Sequence, residues 1–166
     1  MNLLTTRTRG PKHVRAGALR QRGAYAIEFA LVFLLFFGFL YTIICYGIIF
    51  TLRFGLQNAA EDGARAALRY QIDLPARERK AAEIALLQTN GWLPVTPQIV
   101  AQICTIDSGN CAAATRTCSS QWDQRCQIVV TVTANGMGAI LPPLPSFAMP
   151  DKLVGRASMQ LDGRAL

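Results

Sequence analysis

The chain has 166 residues, 17 of them basic and 10 acidic, with a formal net charge of +7. The excess is local: Arg7, Arg9, Lys12, Arg15, Arg20 and Arg22 precede Gly23, no acid precedes Glu28, and the rest of the chain is nearly neutral. A nucleic-acid partner therefore loses its support, because the basic cluster occupies one short segment that is explained as a topology signal.

Residues 1–23 read as a basic leader. Behind it, Phe29–Leu52 runs for 24 residues without a charge, about 36 Å as a helix at ~1.5 Å per residue. That length crosses a hydrocarbon core of roughly 30 Å. The excess of Arg and Lys before the run keeps the N-terminus cytoplasmic and sends the remainder of the chain outside. Residues 24–52 are thus expected to form a transmembrane helix, in contact with membrane lipid, and residues 53–166 a periplasmic domain.

The order of features differs from that of a secretory signal, in which small residues follow the apolar region. Here Gly23 and Ala24 precede it, so cutting between them removes the charges and leaves the apolar helix on the product. Glu28 stands at the start of that helix. A carboxylate joined to a membrane-spanning stretch is costly and needs a partner. Cleavage after Gly23 would supply one, the α-amino group of Ala24 on a neighbouring subunit. The competing reading of Glu28 is a solvated carboxylate favoured by the helix dipole.

RGAYAIEFALV, residues 22–32, resembles the prepilin-processing signature: basic leader, Gly, four residues, Glu-Phe, apolar helix. More narrowly, the chain resembles the TadE-like pseudopilins of the tight-adherence (Tad/Flp) pilus system, as does GLQNAAEDGARAALR at 55–69. The resemblance places leader cleavage at Gly23 and Ala24, and assembly at Glu28 and Phe29. Ala24 stands where type IV pilins carry Phe. The resemblance further implies a prepilin peptidase, other pilin or pseudopilin subunits and the Tad secretion machinery as partners, with use of the product in surface adhesion.

After the span, Leu56, Ala59, Ala60, Gly63, Ala67 and Tyr70 recur at helical spacing, with Arg53, Gln57, Glu61, Asp62 and Arg65 largely elsewhere. This predicts one helix continuing from the membrane into the exported domain, its small-residue face packed against that domain. A second helix is expected from Pro75 to Gln88, ended by Asn90-Gly91. Gln98–Thr105, Gln127–Thr133 and Leu153–Leu161 read as strands. The proline-rich stretch 140–150 cannot be a central strand. The expected fold is α+β: a long N-terminal helix entering a small exported domain with a second helix and an antiparallel sheet, stabilised by disulfides.

Cys45 lies in the apolar run and reads as a small apolar residue. Cys104, Cys111, Cys118 and Cys126 cluster in a polar loop on the exported, oxidising side and are expected to form two disulfides. Three connectivities are open. The nested one, Cys104–Cys126 around Cys111–Cys118, is favoured because its outer pair adjoins the flanking strands. Zinc would want closer cysteine pairs or nearby histidines.

No cofactor motif is present, and His13, in the leader, is the chain's one histidine. Histidine-based nucleophilic or metal chemistry is therefore excluded from the exported part. The expected role is a structural, non-catalytic pilin-like subunit. A permanently anchored single-span protein with a periplasmic partner-binding domain is the alternative, and leader cleavage discriminates between them.

Overall fold

The computed structural model describes residues 18–69, 71–107, 109–112, 117–141 and 150–161, with side chains from Gly23 onward. The leader up to residue 17, Tyr70 and most of the proline-rich stretch lie outside the described residues. The chain divides into two units, Met1–Thr42 and Ile43–Leu166.

The helix α1 spans Ala18–Ala67. No proline interrupts it, and its glycines occur singly. In the first unit its side chains from Tyr25 to Leu40 are exposed and apolar apart from Glu28. Phe29, Phe33 and Phe37 stack along one side, with ring centroids 5.8 and 4.3 Å apart. Thr42 donates its hydroxyl to the Gly38 carbonyl at 2.8 Å. In the second unit, Thr51 does the same to Gly47 at 2.8 Å. Each Gly-x-x-x-Thr pair thus satisfies a hydroxyl inside an apolar stretch, where an unpaired one would be costly.

The second unit begins at Ile43 and already buries Cys45 and Ile49. The boundary expected at Arg53 therefore falls later than the start of this compact unit. Hydropathy marks no earlier boundary, because a protein core and a lipid core select the same residues at these positions. From Leu56 to Ala67, α1 turns its small residues inward: Leu56, Ala60, Ala64 and Ala67 are fully buried.

The second helix, α2, spans Leu74–Thr89, with Asp73 as N-cap accepting from the Ala76 N–H at 2.6 Å and Pro75 in the first turn. It ends at Asn90, and Gly91 follows with φ +88°. The two helices meet at Gly63, where a Cβ would stand 2.7 Å from the Ala81 carbonyl oxygen. Buried Arg77 donates to the Ala67 carbonyl at 3.0 Å, satisfying one of the carbonyls that a helix C-terminus leaves without an internal partner.

Three antiparallel strands, β1 (Gln98–Thr105), β2 (Cys126–Asn135) and β3 (Lys152–Gln160), form a sheet in chain order with β2 in the centre. The period-2 pattern expected for β2 is observed. Ile128, Val130 and Val132 are buried on the core face, opposite Ile103, Ala101 and Ile99 of β1 and Met159, Ala157 and Gly155 of β3. The core joins this face to α1 and α2.

Candidate assembly segment, disulfide loop and basic groove

Gly23, Ala24, Glu28 and Phe29 all lie on α1 in the first unit. Ala24 and Glu28 are one turn apart and therefore neighbours on one helix face. All four are exposed, and a Cβ at Gly23 would meet nothing within 4 Å outside its own helix backbone among the described residues. Glu28 has no ion pair or hydrogen bond there, and its surroundings are the exposed side chains of Tyr25, Ile27, Leu31 and Val32. A helix with this much exposed apolar surface cannot remain bare in water. By length and composition it can cross a membrane.

The four loop cysteines form two disulfides, Cys104–Cys111 and Cys118–Cys126. The pairing is sequential, which corrects the nested arrangement favoured from sequence. The reason lies in the register. Thr105 stands opposite Cys126 and Cys104 opposite Gln127, so the two flanking cysteines project from opposite faces of the sheet. A bond between them would require one strand to slip by a residue. Each instead closes on the cysteine nearest in its own arm of the loop, with separations of 7 and 8 residues. The loop is pinned further by the Ile106 N–H donating to Arg125 at 2.9 Å and the Ser119 N–H donating to Gln124 at 2.9 Å. Just before β2, Trp122 is 74% exposed, with the Arg125 guanidinium 4.0 Å from the ring centroid.

Each sheet edge is engaged at one residue by a side chain from a helix. The Gln57 amide donates to the Arg156 carbonyl at 2.9 Å and accepts from the Arg156 N–H at 3.0 Å, so one side chain occupies the β3 edge as a paired strand would. On the opposite edge, Glu78 accepts from the Ile103 N–H at 2.9 Å. These contacts remove edge groups that would otherwise recruit another strand.

A third feature had no counterpart in the sequence reading. Two adjoining grooves of about 550 and 380 Å³ run along α1 and β3 in the second unit, sharing Phe50, Arg53 and Val154 in their walls. The signal for them was present: Arg53 is the first charge after the apolar run, and Lys152 and Arg156 alternate about Val154 on one face of a strand.

Against this geometry, comparison with known proteins is informative for α1. Residues 23–65 match the family model of TadE-like proteins. No curated protein and no solved structure matches the chain. The TadE-like match agrees with the resemblance carried by the Gly-Ala pair, Glu28 and the small-residue helix. It covers most of α1 and none of the sheet or the disulfide loop.

Proposed function

We propose that this protein is a minor pilin or pseudopilin, a non-catalytic structural subunit held in the inner membrane by α1 and used in Tad pilus assembly. Its N-terminus is cytoplasmic and residues 53–166 are periplasmic, as the basic leader implies by the positive-inside rule. A prepilin peptidase removes the leader after Gly23. The Glu28 carboxylate then meets the new Ala24 amine of a neighbouring subunit when the apolar helices leave lipid for a common bundle, in which an unpaired charge would be penalised. At Gly38 and Gly47 an added Cβ would meet nothing within 4 Å among the described residues, and their bare surfaces offer close approach for such helices.

The observation that carries this reading is Glu28 itself. It is exposed, without a partner among the described residues, and set at the start of the uncharged run 29–52 in a helix whose TadE-like match opens at Gly23. N-terminal sequencing of protein from the native membrane tests it, and the expected first residue is Ala24. An intact Met1 in cells with an active prepilin peptidase would instead establish the permanently anchored alternative.

A further inference from the structure

The paired grooves along α1 and β3 combine three cations with an apolar wall. Arg53, Lys152 and Arg156 line them together with Phe50, Phe54 and Val154. All three cations are exposed and have no ion pair among the described residues, and no carboxylate lines either groove. Asp151 adjoins Lys152 in sequence outside the lining, and Glu61, the nearest acid on α1, is engaged by Gln57 at 3.2 Å and Arg65 at 3.9 Å. Phe50 is 64% and Phe54 67% exposed. Large aromatic side chains left bare beside unneutralised cations form a surface suited to a ligand with an anionic head and an apolar body. An interior packing surface would have one property without the other.

The place of the groove along the chain selects the ligand. Arg53 is the first charged residue after Glu28, so it stands where the uncharged run ends and the headgroup layer would begin. Lys152 and Arg156 are brought to it by β3, about a hundred residues later in sequence. Basic residues at a membrane surface attract anionic lipid by about 1 kcal/mol each, which corresponds to about fivefold in affinity. The arrangement therefore reads a lipid headgroup at the foot of the exported unit.

We infer that these adjoining grooves bind anionic phospholipid headgroups, with Arg53, which lines both, flanked by Arg156 in one and Lys152 in the other, and with the upper acyl chain along Phe50 on the membrane side. The inference rests on the membrane-anchored reading of α1. Such a site would hold the second unit at the bilayer surface and would have to release its lipid before the subunit left the membrane.

The test uses the full chain reconstituted in bilayers of equal parts phosphatidylcholine and phosphatidylglycerol. The protein is transferred to mild detergent, and the lipid it retains is identified by native mass spectrometry. Phosphatidylglycerol should be retained in preference to phosphatidylcholine. Arg53→Gln, Lys152→Gln and Arg156→Gln should each weaken retention about fivefold, whereas Arg79→Gln, an exposed cation outside these grooves, should not. Arg156 meets Gln57 through its main chain, so its substitution leaves the fold intact, and intact disulfides in each variant verify this. Equal retention of the two lipids, or unchanged preference in the triple variant, would overturn the site while leaving the anchor standing. A chain that does not enter the bilayer would overturn the anchor and the site together. A dimer dissolved by the same substitutions would assign the groove to a second copy of the chain and overturn the lipid proposal.

Discussion

Gly155 of β3 rests against the backbone of Leu56 in α1, and a Cβ at Gly155 would overlap the Leu56 carbonyl group. Helix and strand approach this closely because one partner has no side chain. Gly155 is thus the contact that fixes the distance of α1 from the sheet, and Gln57, the next residue on α1, fixes its register by holding Arg156.

Gly155→Ala should therefore destabilise the second unit. The obstruction is main-chain atoms, which cannot rotate aside, so a cost of about 1–3 kcal/mol or more is expected. Gly47→Ala provides the opposite case, since a Cβ at Gly47 would meet nothing within 4 Å among the described residues. There the gain in helix propensity should leave the monomer unchanged or up to about 1 kcal/mol more stable. Urea unfolding of the two variants checks the signs, and equal effects would show that the close approach at Gly155 is absent in solution.

The edge contact made by Gln57 depends on an amide that both donates and accepts. Gln57→Glu retains the acceptor for the Arg156 N–H but loses the donor for its carbonyl, and Gln57→Leu loses both. Costs of about 1 kcal/mol for the first and more for the second are expected. Hydrogen exchange at the Arg156 amide reads the contact directly. Its protection should fall in Gln57→Leu, and unchanged protection would remove Gln57 from the edge.

The disulfide loop yields a prediction about connectivity. Non-reducing peptide mapping should recover Cys104 joined to Cys111 and Cys118 joined to Cys126, with no peptide joining Cys104 to Cys126. Replacing either pair by serine should cost about 2–3 kcal/mol for loops this short. Recovery of the nested pairing would mean that the β1–β2 register is shifted by one residue, because the present register sends Cys104 and Cys126 to opposite faces.

Much of this architecture was legible in sequence where a single periodicity carried it. The alternation of Ile128, Val130 and Val132 marked β2 and its buried face. Ala59, Ala60 and Ala67 marked the side of α1 that packs on its own unit, and Pro75 with Asn90-Gly91 bracketed α2. What depended on two distant segments meeting was not legible. Gln57 and Arg156 are 99 residues apart in the chain, and neither residue type announces the other. Cysteine pairing failed for the same reason, since adjacency to the strands was readable but strand register was not. The start of the second unit was hidden because Cys45 and Ile49 suit lipid and protein interiors equally. Of the candidate site, the Gly23-Ala24 pair and Glu28 stood out because they break the charge pattern around them. Arg53 read only as part of a polar helix side, and its meeting with Lys152 and Arg156 was hidden because only the fold collects them.

The role proposed for Glu28 separates assembly from every earlier step. The pair with an Ala24 amine forms only after a processed subunit meets a neighbour, so Glu28→Ala should insert, lose its leader and form both disulfides, yet fail to co-assemble. Glu28→Asp should assemble partly, because the shorter side chain displaces a partly buried pair whose net value depends on good geometry. Glu28→Gln distinguishes charge from hydrogen bonding: it should behave like Ala if the paired charge matters, and like the unaltered protein if a neutral contact suffices. If the amine is left buried without its carboxylate, the expected penalty is about 3–5 kcal/mol per contact, enough to abolish a filament built from repeated contacts. Crosslinking between subunits, measured beside an immunoblot for leader removal, follows assembly and processing in one sample. Normal crosslinking in Glu28→Ala would show that the carboxylate, exposed at this end of α1, serves only the helix dipole, and that the apolar surface around it is sufficient for assembly.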